Sequence, residues 1–211
     1  MSELEPMRDH WWWRPGWRVG RSFYTWHITF AGQPAMERFV SDYAPALARL
    51  PQLDPVPVRW LHLTLQGLGF ADEIDPGDVD QIVAATRKRC AELEPFTITV
   101  GPAHADPETI QAPARPLEPL AELRLAIRAA IGDVWGRDAV PEPEAGFRAH
   151  VSLGYSNAAG PAEPVADALH VHGGHTAEAT VSSVSLIDLN RDRKAYEWTE
   201  IASVELGAER H

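Results

Sequence analysis

The sequence predicts an α+β fold of two similar lobes. Each lobe is a small antiparallel sheet backed by helices, and a pseudo-twofold sets the two around a central cleft. Three observations carry this. Stretches of period-two alternation exchange with helical stripes along the whole chain. The order strand–helix–strand–helix–strand runs twice. A tripeptide of histidine, an aliphatic residue and a hydroxyl residue sits in the middle strand of each run, as His62-Leu63-Thr64 and His150-Val151-Ser152.

The first run opens with a strand at about 22–30. A helix at about 34–50 follows, with Met36, Phe39, Val40, Tyr43, Leu47 and Leu50 on one face. A proline-rich turn around Pro55 and Pro57 leads to the strand at about 59–68 that carries His62. Asp75 caps a second helix at about 76–93, and Pro76 suits its first position. Val79, Ile82, Val83, Cys90 and Leu93 form its apolar stripe, and Phe96–Val100 closes the run as a strand.

The second run starts with a strand at about 107–113. Its helix at about 117–135 carries the stripe Leu120, Leu123, Ile127, Ile131 and Val134. A loop from Gly136 to Gly146 precedes the His150 strand at about 147–155. After a short helix at about 161–170 come two long strands, about 177–189 and 195–206, joined as a hairpin through residues 190–193. The chain divides into a Trp/Arg-rich extension at 1–21, one bilobal domain at 22–206 and a tail at 207–211.

Composition narrows the function. With 45% hydrophobic and 23% charged residues the balance is that of a globular domain. No run of apolar residues is long enough for a membrane span, and the start Met-Ser-Glu-Leu-Glu is unlike a signal peptide. The single cysteine, Cys90, offers no disulfide partner. It reads as a small core residue, and a cytoplasmic location follows as the expectation. The net charge of −11 argues against a surface that grips long nucleic acid. A nucleotide or a short RNA end held in a local pocket is the expected partner. The oligomeric state is open.

The paired tripeptides carry the chemistry. On a strand, residues i and i+2 share a face. Each motif therefore presents one imidazole and one hydroxyl together, backed by aliphatic side chains. Two such strands across a cleft give two imidazoles and two hydroxyls around one point. One neutral imidazole takes a proton from the attacking oxygen, and the other, protonated, gives one to the leaving oxygen. Thr64 and Ser152 are placed to bond the non-bridging phosphate oxygens. No metal or other cofactor is needed for this.

These residues resemble the two-histidine phosphoesterase superfamily, in its branch of bacterial 2′-5′ RNA ligase-like proteins and cyclic phosphodiesterases. The family signature is two His-x-Thr/Ser-hydrophobic motifs on central strands of a bilobal fold. Here they read His62-Leu63-Thr64-Leu65 and His150-Val151-Ser152-Leu153, and the element order matches over roughly 20–206. The resemblance implies His62 and His150 as the acid–base pair and Thr64 and Ser152 as phosphate binders. It implies hydrolysis of 2′,3′-cyclic phosphate ends or reversible formation of 2′-5′ linkages. A nucleotide-binding module without catalysis is the alternative use of the same cleft.

Several further residues are candidates. His27-Ile28-Thr29 repeats the motif on the first strand but has no counterpart near 106–113. His27 either lines the cleft or is a partly buried histidine with a partner. Arg148 is expected on the face of His150, holding phosphate or pairing with the acidic loop. Tyr155 falls on the opposite face of a straight strand, where it is a weak candidate for base stacking. Arg191 and Arg193 are expected exposed in the hairpin turn. His170, His172 and His175 raise a metal site without convincing further ligands. The segment from His10 to Arg21 is either a flap that stacks on a base or an aromatic plug beside the first strand, with the plug preferred.

Overall fold

The structure is a computed structural model and describes residues 5–207. The first four residues of the N-terminal extension and residues 208–211 of the tail lie outside the described residues.

The chain runs β1 (Phe23–Thr29), α1 (Pro34–Leu47), β2 (Leu53–Pro55), β3 (His62–Phe70), α2 (Pro76–Cys90), β4 (Phe96–Val100) and β5 (His104–Asp106). It continues β6 (Thr109–Arg115), α3 (Leu117–Trp135), β7 (His150–Ser156), α4 (Glu163–His172), β8 (Ala177–Val181), β9 (Ser183–Asn190) and β10 (Glu197–Glu205). Two antiparallel sheets result. One has the order β10-β9-β1-β3, the other β2-β7-β6-β4-β8 with β5 on β6. Helices α2 and α3 pack together on the first sheet, and α1 and α4 on the second. No described helix is long and apolar enough to cross a membrane.

The helical stripes are where the periodicity puts them. Met36, Phe39, Tyr43 and Leu47 of α1 are buried, as are Val79, Ile82, Val83 and Cys90 of α2 and Leu120, Leu123, Ile127 and Ile131 of α3. Asp75 caps α2 by accepting the Gly77 amide at 2.7 Å. Cys90 is fully buried, and burial pushes its thiol up to about 11.

The two halves of the sequence are not the two lobes. β4 of the first run pairs with β6 and β8 in the second sheet, while β9 and β10 of the second run complete the first sheet. The stretch read as one strand at 177–189 is two. Burial alternates over β8 and loses that phase at Ser182-Ser183, where the chain passes from one sheet to the other. The hairpin of β9 and β10 is as expected. The short strand β2 lies in the proline-rich stretch read as turn, and β5 lies between two expected strands, where no element was expected.

Candidate active site

β3 and β7 lie next to each other across the cleft between the sheets, and each begins with its motif histidine. The two motifs are built alike. Nδ1 of His62 donates to the carbonyl of Trp60 at 2.8 Å, and Nδ1 of His150 donates to the carbonyl of Arg148 at 2.9 Å. In each case the acceptor is the residue two positions earlier. This fixes the ring and leaves Nε2 as the free nitrogen of both rings, which line one cavity of about 290 Å³. Thr64 and Ser152 line the same cavity.

A second shared feature follows each motif. Opposite β3, Trp26 pairs with Gln66 and His27 with Thr64, so Leu65 is the extra residue of a β-bulge. Opposite β7, Ile110 pairs with Gly154 and Gln111 with Ser152, so Leu153 is the extra residue. Each bulge reverses the alternation beyond it. Gly67 and Tyr155, three residues after the hydroxyls, therefore face the cleft. Gly67 is also a place of close approach: a Cβ there would stand 2.6 Å from the Glu142 carboxylate. The Gly67 amide donates to Glu142 at 3.3 Å.

The bulge accounts for Tyr155. The strand is not straight, so its ring lies in the cleft rather than behind it. One face of that ring is taken by His10, stacked at 4.4 Å. Arg148 is not among the residues that line the cleft. It precedes the first paired residue of β7, is exposed, and borders two outer cavities, one of which His150 also lines. Its carbonyl accepts from the His150 ring.

His27 both lines the cleft and is buried with a partner. Its Nε2 is 3.1 Å from Thr64 Oγ1, and its ring stacks on His62 at 4.3 Å with planes 3° apart. Burial, with His62 second, holds its pKa well below the ordinary histidine value. His62 is covered by this ring and by the edge of Trp198 at 5.3 Å. Burial first, and His150 in addition, push His62 down to about 4, against the pull of the Trp60 carbonyl.

Sequence reasoning missed the rest of the lining. Thr25 and Thr109 pair with Gly67 and Tyr155 respectively and stand in equivalent places of the two sheets. That equivalence comes from strand register beside the two bulges, which no local sequence signal marks. Tyr196 enters from β10's approach, and His10, Arg14 and Trp17 from the N-terminal segment. That segment packs beside the first strand, with Trp17 on Phe23 and Phe70, as the plug reading expected, and it also reaches the cleft. Arg191 is not exposed: it is 4% accessible and donates to the carbonyls of His10 and Trp12. Arg193 is exposed and pairs with Glu197. His170 and His172 lie on a helix, where residues two apart do not share a face. Among the described residues no three His, Cys, Asp or Glu side chains are grouped to hold a metal ion.

Comparison with solved structures finds the same fold. A crystal structure from Thermus thermophilus has a TM-score of 0.63 at 21% identity, covering 90% of this chain and all (100%) of that one. E. coli LigT complexed with NADP+ has a TM-score of 0.65 at 17% identity, over 89% and 99% of the two chains. LigT complexed with 3′-AMP gives 0.63 at 15% identity over the same shares, 89% and 99%. No curated protein sequence matches. The model of the 2′-5′ RNA ligase superfamily matches residues 33–193, most of the chain and both motifs. The chain belongs to that superfamily, the two-histidine phosphoesterases that the paired tripeptides resemble.

Proposed function

We propose that the chain is a phosphodiesterase for 2′,3′-cyclic phosphate or 2′-5′-linked nucleotide or RNA ends, working by acid–base catalysis between His62 and His150. The observation that carries this is the matched tethering of the two rings, each Nδ1 on a carbonyl two residues back and each Nε2 free toward one cleft. A module that only binds has no need of two such nitrogens. The family membership supports the reaction class.

His62 is the base. Held down at about 4, it is neutral at pH 7 and its Nε2 lone pair is free. It takes a proton from water as that oxygen bonds to phosphorus. The bond from phosphorus to one sugar oxygen breaks, and Nε2–H of His150 gives that oxygen its proton. A cyclic diester becomes a monoester; when a 5′-hydroxyl of a second nucleotide takes the place of water, the same sequence breaks the bond from phosphorus to O3′ and forms a 2′-5′ link. Thr64 and Ser152 hold the non-bridging oxygens. With His27 donating from Nε2 to Thr64 Oγ1, the Thr64 proton is left for phosphate. The nucleotide complexes of LigT support a ligand of this kind.

The test is product analysis on 2′,3′-cyclic nucleotides, cyclic-ended RNA and 2′-5′-linked dinucleotides, with chelator present. Turnover that persists in chelator is expected. His62→Ala and His150→Ala should each lower kcat by about a hundredfold to ten-thousandfold with the melting transition retained. Nucleotide binding by calorimetry with no product from the native chain would overturn the proposal in favour of a binding module.

A further inference from the structure

The N-terminal segment runs across both lobes. Met7 is 1% accessible and exchanges backbone hydrogen bonds with Gly160, and the His10 amide donates to the Ser156 carbonyl at 2.8 Å. These anchors lie on the second lobe. Further on, Trp17 packs on Phe23 and Phe70, the Gly20 amide donates to Asp192 at 2.8 Å, and Arg21 pairs with Asp72 at 2.7 Å and with Glu73. These anchors lie on the first lobe. Residues 10–17 are the crossing, and His10, Arg14 and Trp17 form part of the cleft wall.

The crossing is fixed. Arg191 ties it from below through the His10 and Trp12 carbonyls at 2.9 and 3.3 Å, and the buried Trp11 donates from Nε1 to Asp54 at 2.9 Å. His10 is itself wedged between Glu108 at 3.2 Å and the Tyr196 hydroxyl at 2.8 Å. The wall also holds no spare positive charge. Arg14 is committed to Glu108 at 2.5 Å and Arg191 to backbone carbonyls, while Glu142 sits across the cleft on the Gly67 amide. Tracking a polymer needs a row of cations for successive phosphates, and the chain as a whole carries −11. At about 290 Å³ the cavity is at the small end of ligand pockets, which span about 300–1,000 Å³.

We infer that residues 10–17 are a built-in wall that restricts the site to a single phosphodiester of mononucleotide size and excludes the continuing strand of an RNA. The substrate class is a nucleoside 2′,3′-cyclic phosphate or a cyclic diester of similar size and charge. The inference rests on the phosphodiesterase reading above.

The experiment compares kcat/KM for a nucleoside 2′,3′-cyclic phosphate with that for cyclic-ended oligoribonucleotides of two to about ten residues sharing the same terminal nucleoside. The native chain should favour the mononucleotide by about a hundredfold, with the drop occurring at the second nucleotide. In Arg14→Ala/Trp17→Ala, which leaves the Met7 and Trp11 anchors in place, the ratio should move about tenfold toward RNA. Equal rates on all lengths in the native chain, or a preference for RNA, overturn the wall while the phosphodiesterase reading stands. Turnover of none of them overturns both. Since the length series uses the native chain, it decides the matter even if the double variant does not fold.

Discussion

The stacked His27 ring gives a sharp test of the acid and base roles, through His27→Gln. The replacement copies the other lobe, where Gln111 pairs with Ser152 as His27 pairs with Thr64. With His62 near 4, only about 3% of its rings are protonated at pH 5.5, against about 90% for an ordinary histidine at 6.5. As a base it must be deprotonated, so activity is present above its pKa and lost as pH falls through it. The native kcat/KM for a cyclic mononucleotide should therefore hold from neutral pH to about pH 5 on that limb, with its midpoint about 4. His27→Gln removes a flat ring 4.3 Å from His62 and lets water reach it. Since burial is the main cause of the depression, the midpoint should rise by about one unit. The assay is kcat/KM from pH 3.5 to 9 at constant ionic strength, with circular dichroism at each pH to show that the fold persists. Both limbs belong to the histidine pair as a unit. A native acid limb centred near 6.5 would refute the reasoning about burial. A kcat/KM that falls as pH rises above about 4 would instead make His62 the acid.

Two further predictions concern stability. Arg124 of α3 is buried and donates to the carbonyls of Leu65, Pro143 and Glu144, which ties the loop carrying Glu142 to the bulge in β3. Arg124→Met leaves these carbonyls without that donor and should cost about 2–4 kcal/mol in urea unfolding; a change under about 0.5 kcal/mol would show that the tie does not matter. Stability should also fall in acid before most carboxylates titrate. His10 and His62 are each held at about 4, and His27 also lies well below 6.5, so the unfolded chain binds more protons between 6.5 and 4. Stability is then full above about pH 6.5 and lost as pH falls toward 4, by up to about 3 kcal/mol for each of His10 and His62. A melting temperature that is flat from pH 7 to 4.5 would contradict this.

The helical stripes and the motif pair were legible because each depends on local periodicity. Met36, Phe39 and Tyr43 are buried wherever α1 docks, and His62 and Thr64 share a face in any regular strand. What escaped depends on pairing between distant segments. Nothing in Leu65 or Leu153 marks a bulge; the bulge exists because β1 and β6 each supply one residue fewer opposite them. A strand without that bulge puts Tyr155 behind the cleft, which is the whole reason its place was hidden. Arg191 reads as a turn arginine within Asn190–Arg193, and its burial requires carbonyls 181 and 179 positions earlier in the chain. The interleaved lobes are of the same kind. The order of strands was visible, but which sheet β4, β9 and β10 would join was not.

The same dependence on partners makes the two halves of the site unequal. Each lobe supplies a histidine tethered to a carbonyl, a hydroxyl, a bulge and a threonine on the neighbouring strand. Two identical halves would give two identical imidazoles, and a proton donor and a proton acceptor must differ. The difference lies opposite the hydroxyls. His27 faces Thr64 and roofs His62, whereas Gln111 faces Ser152 and turns to Asp106 at 2.8 Å. Lobe one therefore buries its motif ring under aromatic cover, and among the described residues lobe two leaves His150 without an equivalent roof. In the mechanism proposed above, His27-Ile28-Thr29, which imitates the motif in sequence, would supply the asymmetry that lets one imidazole serve as base beside another that serves as acid.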